Sequence, residues 1–245
     1  MQRALLLAIL TGTLVGRHAA APLVVDGSTA IVVGGDQPAA VMSAARDLAS
    51  DMEKVFGRAP RIVARREEAP ATAIVIASRG GGAAESFSIA AGSGTVRLSG
   101  ADMRGTIYAV YQFSEEYLGV DPLYYWTDSV PAKKPRVEVP DGLNKEFAAP
   151  VMRYRGFFIN DEDLLTGWAP GETKDRTGIS LAAWDRIYET TLRLKGNIVA
   201  PGTWIFSDEA QIAAAGKRGL IVTQHHAIPL GVNVARWPED ASYNF

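Results

Sequence analysis

The 245-residue chain has no cysteine and only three histidines, His18, His225 and His226. Without cysteine there are no disulfides, thiolate nucleophiles or cysteine-bound metals, although an oxidising compartment remains permitted. Neither an H-x-x-x-H nor an H-E-x-x-H spacing occurs, so a zinc hydrolase arrangement is not expected. Positive charge is not in excess either: 25 Lys and Arg stand against 27 Asp and Glu, a formal net charge of -2. With no broad basic face to neutralise a phosphate backbone, nucleic acid is not an expected partner. Gly34-Gly35-Asp36 sits between a strand and a helix, yet it matches neither G-x-x-x-x-G-K-[ST] nor G-x-G-x-x-G. Gly80-Gly81-Gly82 and Gly92-Ser93-Gly94 read as loop and hairpin turns, and Arg65-Arg66-Glu67-Glu68 as a solvated, charge-balanced connection. No cofactor or metal is implied by any of these patterns.

What is present is a globular composition, 47% hydrophobic and 21% charged. Arg3, the apolar run Ala4 to Val15 and Ala19-Ala20-Ala21 read as a secretory signal over residues 1–21. The run is too short to span a bilayer comfortably, so a secreted or periplasmic mature protein with no membrane segment is expected.

Alternation and β-branched content predict strands at Ala30 to Val33, Arg61 to Val63, Ala73 to Ala77, Phe87 to Ala90 and Thr95 to Ser99. Between Pro38 and Phe56, Val41, Ala45, Leu48, Met52 and Val55 recur at steps of four and three, which predicts a helix stopped by Gly57. A second helix is predicted from Gly105 to Leu118, with Gly119 beyond its last turn. Residues 22–126 therefore read as an accessory α/β domain. Residues 127–150 hold Pro131, Pro135, Pro140 and Pro150 around Lys133-Lys134, which resists both helix and central strand and reads as a linker.

From residue 151 the pattern becomes strand, loop, helix: strand Tyr154 to Ile159, helix Ser180 to Lys195, strand Asn197 to Ala200, helix Asp208 to Lys217, strand Leu220 to Gln224. Repeated βα units imply a parallel sheet or barrel. Three strands do not complete a (β/α)8 barrel, so the chain is expected to be the truncated front of a longer enzyme.

Polar side chains follow each of these strands. Asn160, Asp161, Glu162 and Asp163 follow the first, Thr203 and Trp204 the second, His225 and His226 the third. In a barrel the strands' carboxyl ends carry the chemistry. Clustered acids raise one another's pKa values unless a ligand or cation compensates, which marks Asp161 and Glu162 as candidate catalytic carboxylates. Asn160, Asp163, Trp204, His225 and His226 are candidate saccharide contacts. Adjacent histidines on a strand point to opposite sides, so one of the two is expected to face the mouth. Trp204 suits either core packing or stacking on a sugar ring. Trp184 lies at a core position of its helix, while Trp168 lies in a turn-rich loop where exposure would favour ligand contact.

Four segments carry a family resemblance. Arg104-Gly105-Thr106-Ile107-Tyr108-Ala109-Val110-Tyr111 resembles the R-G-T-x-Y-x-x-Y segment in the accessory domains of several barrel glycosidases. Arg153 to Asp163, Arg193-Leu194-Lys195-Gly196-Asn197 and His225-His226 resemble the opening of the glycoside hydrolase family 115 barrel. The resemblance implies an inverting α-glucuronidase acting on the (4-O-methyl)glucuronic acid side chains of xylan. Acidic xylan or xylo-oligosaccharide is then the expected partner, with a homodimer allowed. It also implies that further catalytic groups, the general acid among them, lie on later strands, so the chain alone is expected to be inactive. Two departures stand out: Ala227 follows His225-His226 where the family tends to have Glu, and Pro201-Gly202-Thr203-Trp204 replaces a P-A-M-W-like segment. The alternatives are another barrel glycosidase, such as a β-N-acetylhexosaminidase, and a non-catalytic carbohydrate-binding protein.

Overall fold

The computed structural model describes residues 21–160, 165, 168, 179–202 and 210–224. Its first half is a six-stranded sheet with two helices packed on it. Along the chain come strands β1 (Leu23–Val25) and β2 (Ala30–Val33), helix α1 (Ala39–Phe56), strands β3 (Ile62–Val63), β4 (Ala73–Ser78), β5 (Phe87–Gly92) and β6 (Thr95–Gly100), and helix α2 (Met103–Phe113). The sheet order is β3-β2-β4-β6-β5-β8, where β8 is Asn144–Phe147. The first four of these run parallel, and β5 and β8 add antiparallel pairings at one side. All four residues of β2 are buried, as expected of an apolar run covered on both faces.

The periodicity of α1 is realised side chain by side chain: Val41, Ala45, Leu48, Met52 and Val55 are each 0% exposed. Gly57 ends the helix in the left-handed region, φ 78°, with its N–H donating to the Glu53 carbonyl at 2.8 Å. Helix α2 begins two residues earlier than its apolar pattern suggests, because Asp102 caps it: Oδ1 accepts from the Gly105 N–H at 2.8 Å. Its last predicted turn, Ser114–Leu118, is a π-helix.

Residues 127–150, read from composition as a linker, contain two strands. β7 (Val137–Val139) pairs antiparallel with β1, and β8 pairs with β5, in the register Phe87↔Phe147. The prolines fall outside both paired stretches, and β8 occupies an edge of its sheet.

The second half contains β9 (Gly156–Ile159), α3 (Leu181–Arg193), β10 (Ile198–Pro201), α4 (Ala210–Lys217) and β11 (Ile221–Val222). The strands form a parallel sheet in the order β11-β10-β9, so each βα unit crosses to a neighbour. Ser180 caps α3 by accepting from the Ala183 N–H at 3.1 Å, and Trp184, Tyr188 and Leu192 are buried on its inner face. The described residues thus give a mixed α/β architecture whose second sheet is three-stranded and open rather than a closed barrel. Among them no helix is long and apolar enough to cross a membrane.

Candidate functional site

The register of β9, β10 and β11 brings their carboxyl ends to one rim. Ile159 pairs with Pro201, and Val199 with Val222. Asn160, exposed, follows β9; Gly202, at φ 93°, follows β10; Thr223 and Gln224 follow β11, with the Thr223 N–H donating to the Val199 carbonyl at 2.9 Å. Of the residues predicted for the site, Asn160 lies on this rim. Asp161, Glu162, Asp163, Trp204, His225 and His226 lie outside the described residues, although in sequence each group follows one of the three strand ends. Among the described residues no group of three or more His, Asp or Glu side chains is arranged to hold a metal.

At the opposite, amino ends of β9 and β10 lies a network that sequence reasoning did not single out. Glu85, buried in the loop before β5, receives three donors: Arg155 Nη2 at 2.5 Å, Arg104 Nε at 2.7 Å and Asn197 Nδ2 at 2.8 Å. Asn197 in turn accepts the Arg155 N–H through Oδ1 at 2.9 Å, and the Tyr108 hydroxyl donates to the Gly196 carbonyl at 2.9 Å. Burial by itself would raise the Glu85 carboxyl. The hydrogen bonds from Asn197, Arg155 and Arg104, with the Arg155 charge, more than offset it and hold the group below its ordinary value. Tyr108 is pushed up, first by burial and then by the Glu85 charge, and stays a neutral donor.

Three of the four resembling segments therefore meet at one carboxylate. Arg104 comes from R-G-T, Arg155 from R-Y-R-G and Asn197 from K-G-N. Basic and amide side chains in three separated segments were the available signal that an anion had to sit among them. Glu85 itself, beside a glycine-rich loop, carried no mark.

A second charged cluster locks α3 and α4 to α1 and α2. Arg193 donates to Asp51 at 2.7 Å and to Glu189 at 2.8 Å, with all three side chains at most 2% exposed. Ser114 also donates to Asp51, at 2.5 Å, which explains a buried serine on the inner side of the π turn. Arg218 bridges Asp47 and Asp185, and the Tyr111 hydroxyl donates to Asp47 at 2.7 Å. Burial pushes the Asp47 carboxyl up against the pull of Arg218, and the nearby Glu189 charge adds to the rise. On Glu189 burial also acts upward, but Arg193 and Arg186 prevail and hold its carboxyl down. These charges are mutually satisfied, so they position the two halves rather than offer a reactive group.

Trp184 is fully buried and stacks on Tyr188 at 5.8 Å, a core role. Trp168 is 38% exposed and meets Trp126 at 5.3 Å and Tyr125 edge-on at 6.0 Å.

Residues 148–245 match the family model described as glycosyl hydrolase family 115. Among solved structures, a family 115 4-O-methyl-α-glucuronidase with specificity for decorated arabinogalactans superposes with a TM-score of 0.77 at 25% identity, over 87% of this chain and 31% of that one. The chain thus spans about a third of that relative's length. A family 20 β-N-acetylhexosaminidase from Streptomyces coelicolor A3(2) gives a TM-score of 0.56 at 12% identity, over 83% of this chain and 43% of that one. A family 138 enzyme targeting pectin rhamnogalacturonan II gives 0.50 at 16% identity, over 80% and 31%. The last two share the fold alone. No curated protein matches the chain.

Proposed function

We propose, for a chain that belongs to glycosyl hydrolase family 115 through residues 148–245, that it supplies the accessory α/β domain and the first βα units of an exported α-glucuronidase barrel. The observation that carries this reading is the shared rim of β9, β10 and β11, at which three polar segments begin in sequence. The substrate is a polysaccharide bearing (4-O-methyl)glucuronic acid, with xylan the leading backbone. Decorated arabinogalactan is the second, favoured by what the family 115 relative acts on.

Hydrolysis with inversion needs one carboxylic acid to protonate the leaving oxygen and one carboxylate to activate water, separated by about 6.5–9.5 Å. Asp161 and Glu162 are adjacent in sequence, so together they serve one of these roles, and the opposing carboxyl comes from a later strand. Asn160 and Asp163 contact sugar hydroxyls. Trp204 stacks on the ring, and His225 and His226 supply a hydrogen bond to the uronate or a hydroxyl. Ala227, where the family tends to have Glu, removes an acidic contact beside an anionic sugar and shifts specificity. The N-terminal 21 residues act as the export signal.

The decisive assay is release of (4-O-methyl)glucuronic acid from glucuronoxylan and from decorated arabinogalactan. The 245-residue protein alone is expected to release none. A family 115 enzyme whose corresponding region is replaced by residues 22–245 is expected to be active, and to lose at least about a hundredfold in kcat on Asp161→Asn or Glu162→Gln. A folded chimera inert on both polymers, or robust turnover by the 245 residues alone, would overturn the reading.

A further inference from the structure

A cavity of about 610 Å³ lies between the end of α1 and the segment that follows the π turn, and no residue of β9, β10 or β11 lines it. Its volume falls in the range of small-ligand sites. Tyr124, Tyr125 and Trp168 wall it, and Lys54, Asp128 and Lys133 add charge. We propose that this cavity is a second, non-catalytic saccharide site, one that takes a uronic-acid-bearing unit of the same polysaccharide. The ligand class rests on the function proposed above; the site itself rests on geometry.

The rings are held in place from behind. Trp168 packs on Trp126 at 5.3 Å with a 39° tilt and meets the Tyr125 edge at 6.0 Å and 90°, so its 38% exposed surface is a fixed aromatic plane. Trp126 is itself anchored, its indole N–H donating to Thr190 Oγ1 at 2.7 Å. The Tyr124 hydroxyl donates to Glu189 at 3.3 Å, while Lys54 Nζ lies 4.7 Å from that ring's centroid. An aromatic plane suits the apolar C–H face of a pyranose.

Charge selects the acidic member of that class. Lys54 donates to Asp51 at 3.1 Å, but Asp51 is already paired with Arg193 at 2.7 Å, so the wall keeps a positive excess there. Lys133 is exposed and forms no ion pair among the described residues. Two ammonium groups against the one carboxylate of Asp128 favour a uronate, with Asp128 left to accept from hydroxyls. A peptide that binds by strand addition would need an unpaired strand edge. The lining comes from α1 and loops and includes no strand.

The test is a calorimetric titration of the 245-residue protein carrying Asp161→Asn and Glu162→Gln, using xylotriose with and without a 4-O-methylglucuronic acid branch. The branched ligand is expected to bind and the unbranched one to bind at least about threefold more weakly. Trp168→Ala is expected to weaken binding about tenfold and Lys133→Gln about threefold, each with an unchanged circular dichroism spectrum. Lys133 is solvent-exposed, so that variant is independent of any folding loss at Trp168. Branched-ligand binding that survives both substitutions, or no binding at all, overturns the proposal. Binding here beside an inert chimera leaves this site standing and removes the glucuronidase reading, so the two failures are separable.

Discussion

Glu85 is the residue on which the most depends for its size. Its carboxylate takes charge-assisted donors from Arg104 and Arg155 and an amide from Asn197, with the Glu85 side chain 7% exposed and the two arginines 26% and 20%. Glu85→Gln keeps the volume and removes the charge, leaving two guanidinium groups partly buried without a counter-ion. The expected loss is about 2 kcal/mol, below the value for a wholly buried pair because both arginines reach water. Glu146→Gln breaks the exposed Arg79 pair, at 3.0 Å, and is expected to change stability by less than about 0.5 kcal/mol. Urea titrations of both variants check the contrast. The pH dependence follows from the depressed Glu85 carboxyl. Its stabilising contribution is present above the unfolded-state value near 4.5 and is lost as pH falls through the lower folded-state value. The stability gap between the parent and Glu85→Gln should therefore narrow as pH falls below about 4.5, and a gap that stays constant as the solution is acidified would contradict this account.

Elements reveal what periodicity can and cannot convey. Gly156 opens β9 where a Cβ would run into the Ile198 carbonyl of β10, so Gly156→Ala must separate the strands whose register aligns the rim. A cost of about 3 kcal/mol is expected by chemical denaturation. Gly216, exposed in α4 with open space around its would-be Cβ, makes the converse case: Gly216→Ala should stabilise by about 0.5 kcal/mol through helix propensity. Long amphipathic or β-branched runs such as α1, β2 and β4 were legible because one face is buried along their whole length. The three-residue β1 and β7 and the polar Asn144-Lys145-Glu146 of β8 were not, since their strand character comes from the partner rather than from their own pattern. The start of α2 was missed because Asp102, not an apolar residue, sets it. The ion network was illegible for a related reason: the donors to Glu85 lie 19, 70 and 112 residues away in sequence. For the candidate site, strand-end spacing led to the rim, and Asn160 is the one predicted residue among those described.

At the scale of the whole molecule, the α/β domain and the βα units are joined by charge as well as by apolar packing. Arg193, on α3, reaches Asp51 on α1 and lies with its guanidinium carbon 4.8 Å from the Tyr111 ring centroid and 5.2 Å from that of Tyr124. Arg218, just beyond α4, reaches Asp47 on α1 and Asp185 on α3. Proline-rich connection or not, the two halves share one buried interface and should unfold together in a single calorimetric transition. Arg193→Ala leaves Asp51 and Glu189 buried with their main cation gone, at an expected cost of about 3–5 kcal/mol. The cost falls on the interface, so the transition should split, with amides of β9, β10 and β11 losing hydrogen-exchange protection before those of β2 and β4. A variant that keeps one transition at the parent midpoint would mean that Arg218 and the apolar contacts between α2 and α3 suffice to couple the halves. The split outcome would instead assign to the N-terminal α/β half a direct task in holding the rim: α1 carries the carboxylates against which the first two βα units are set.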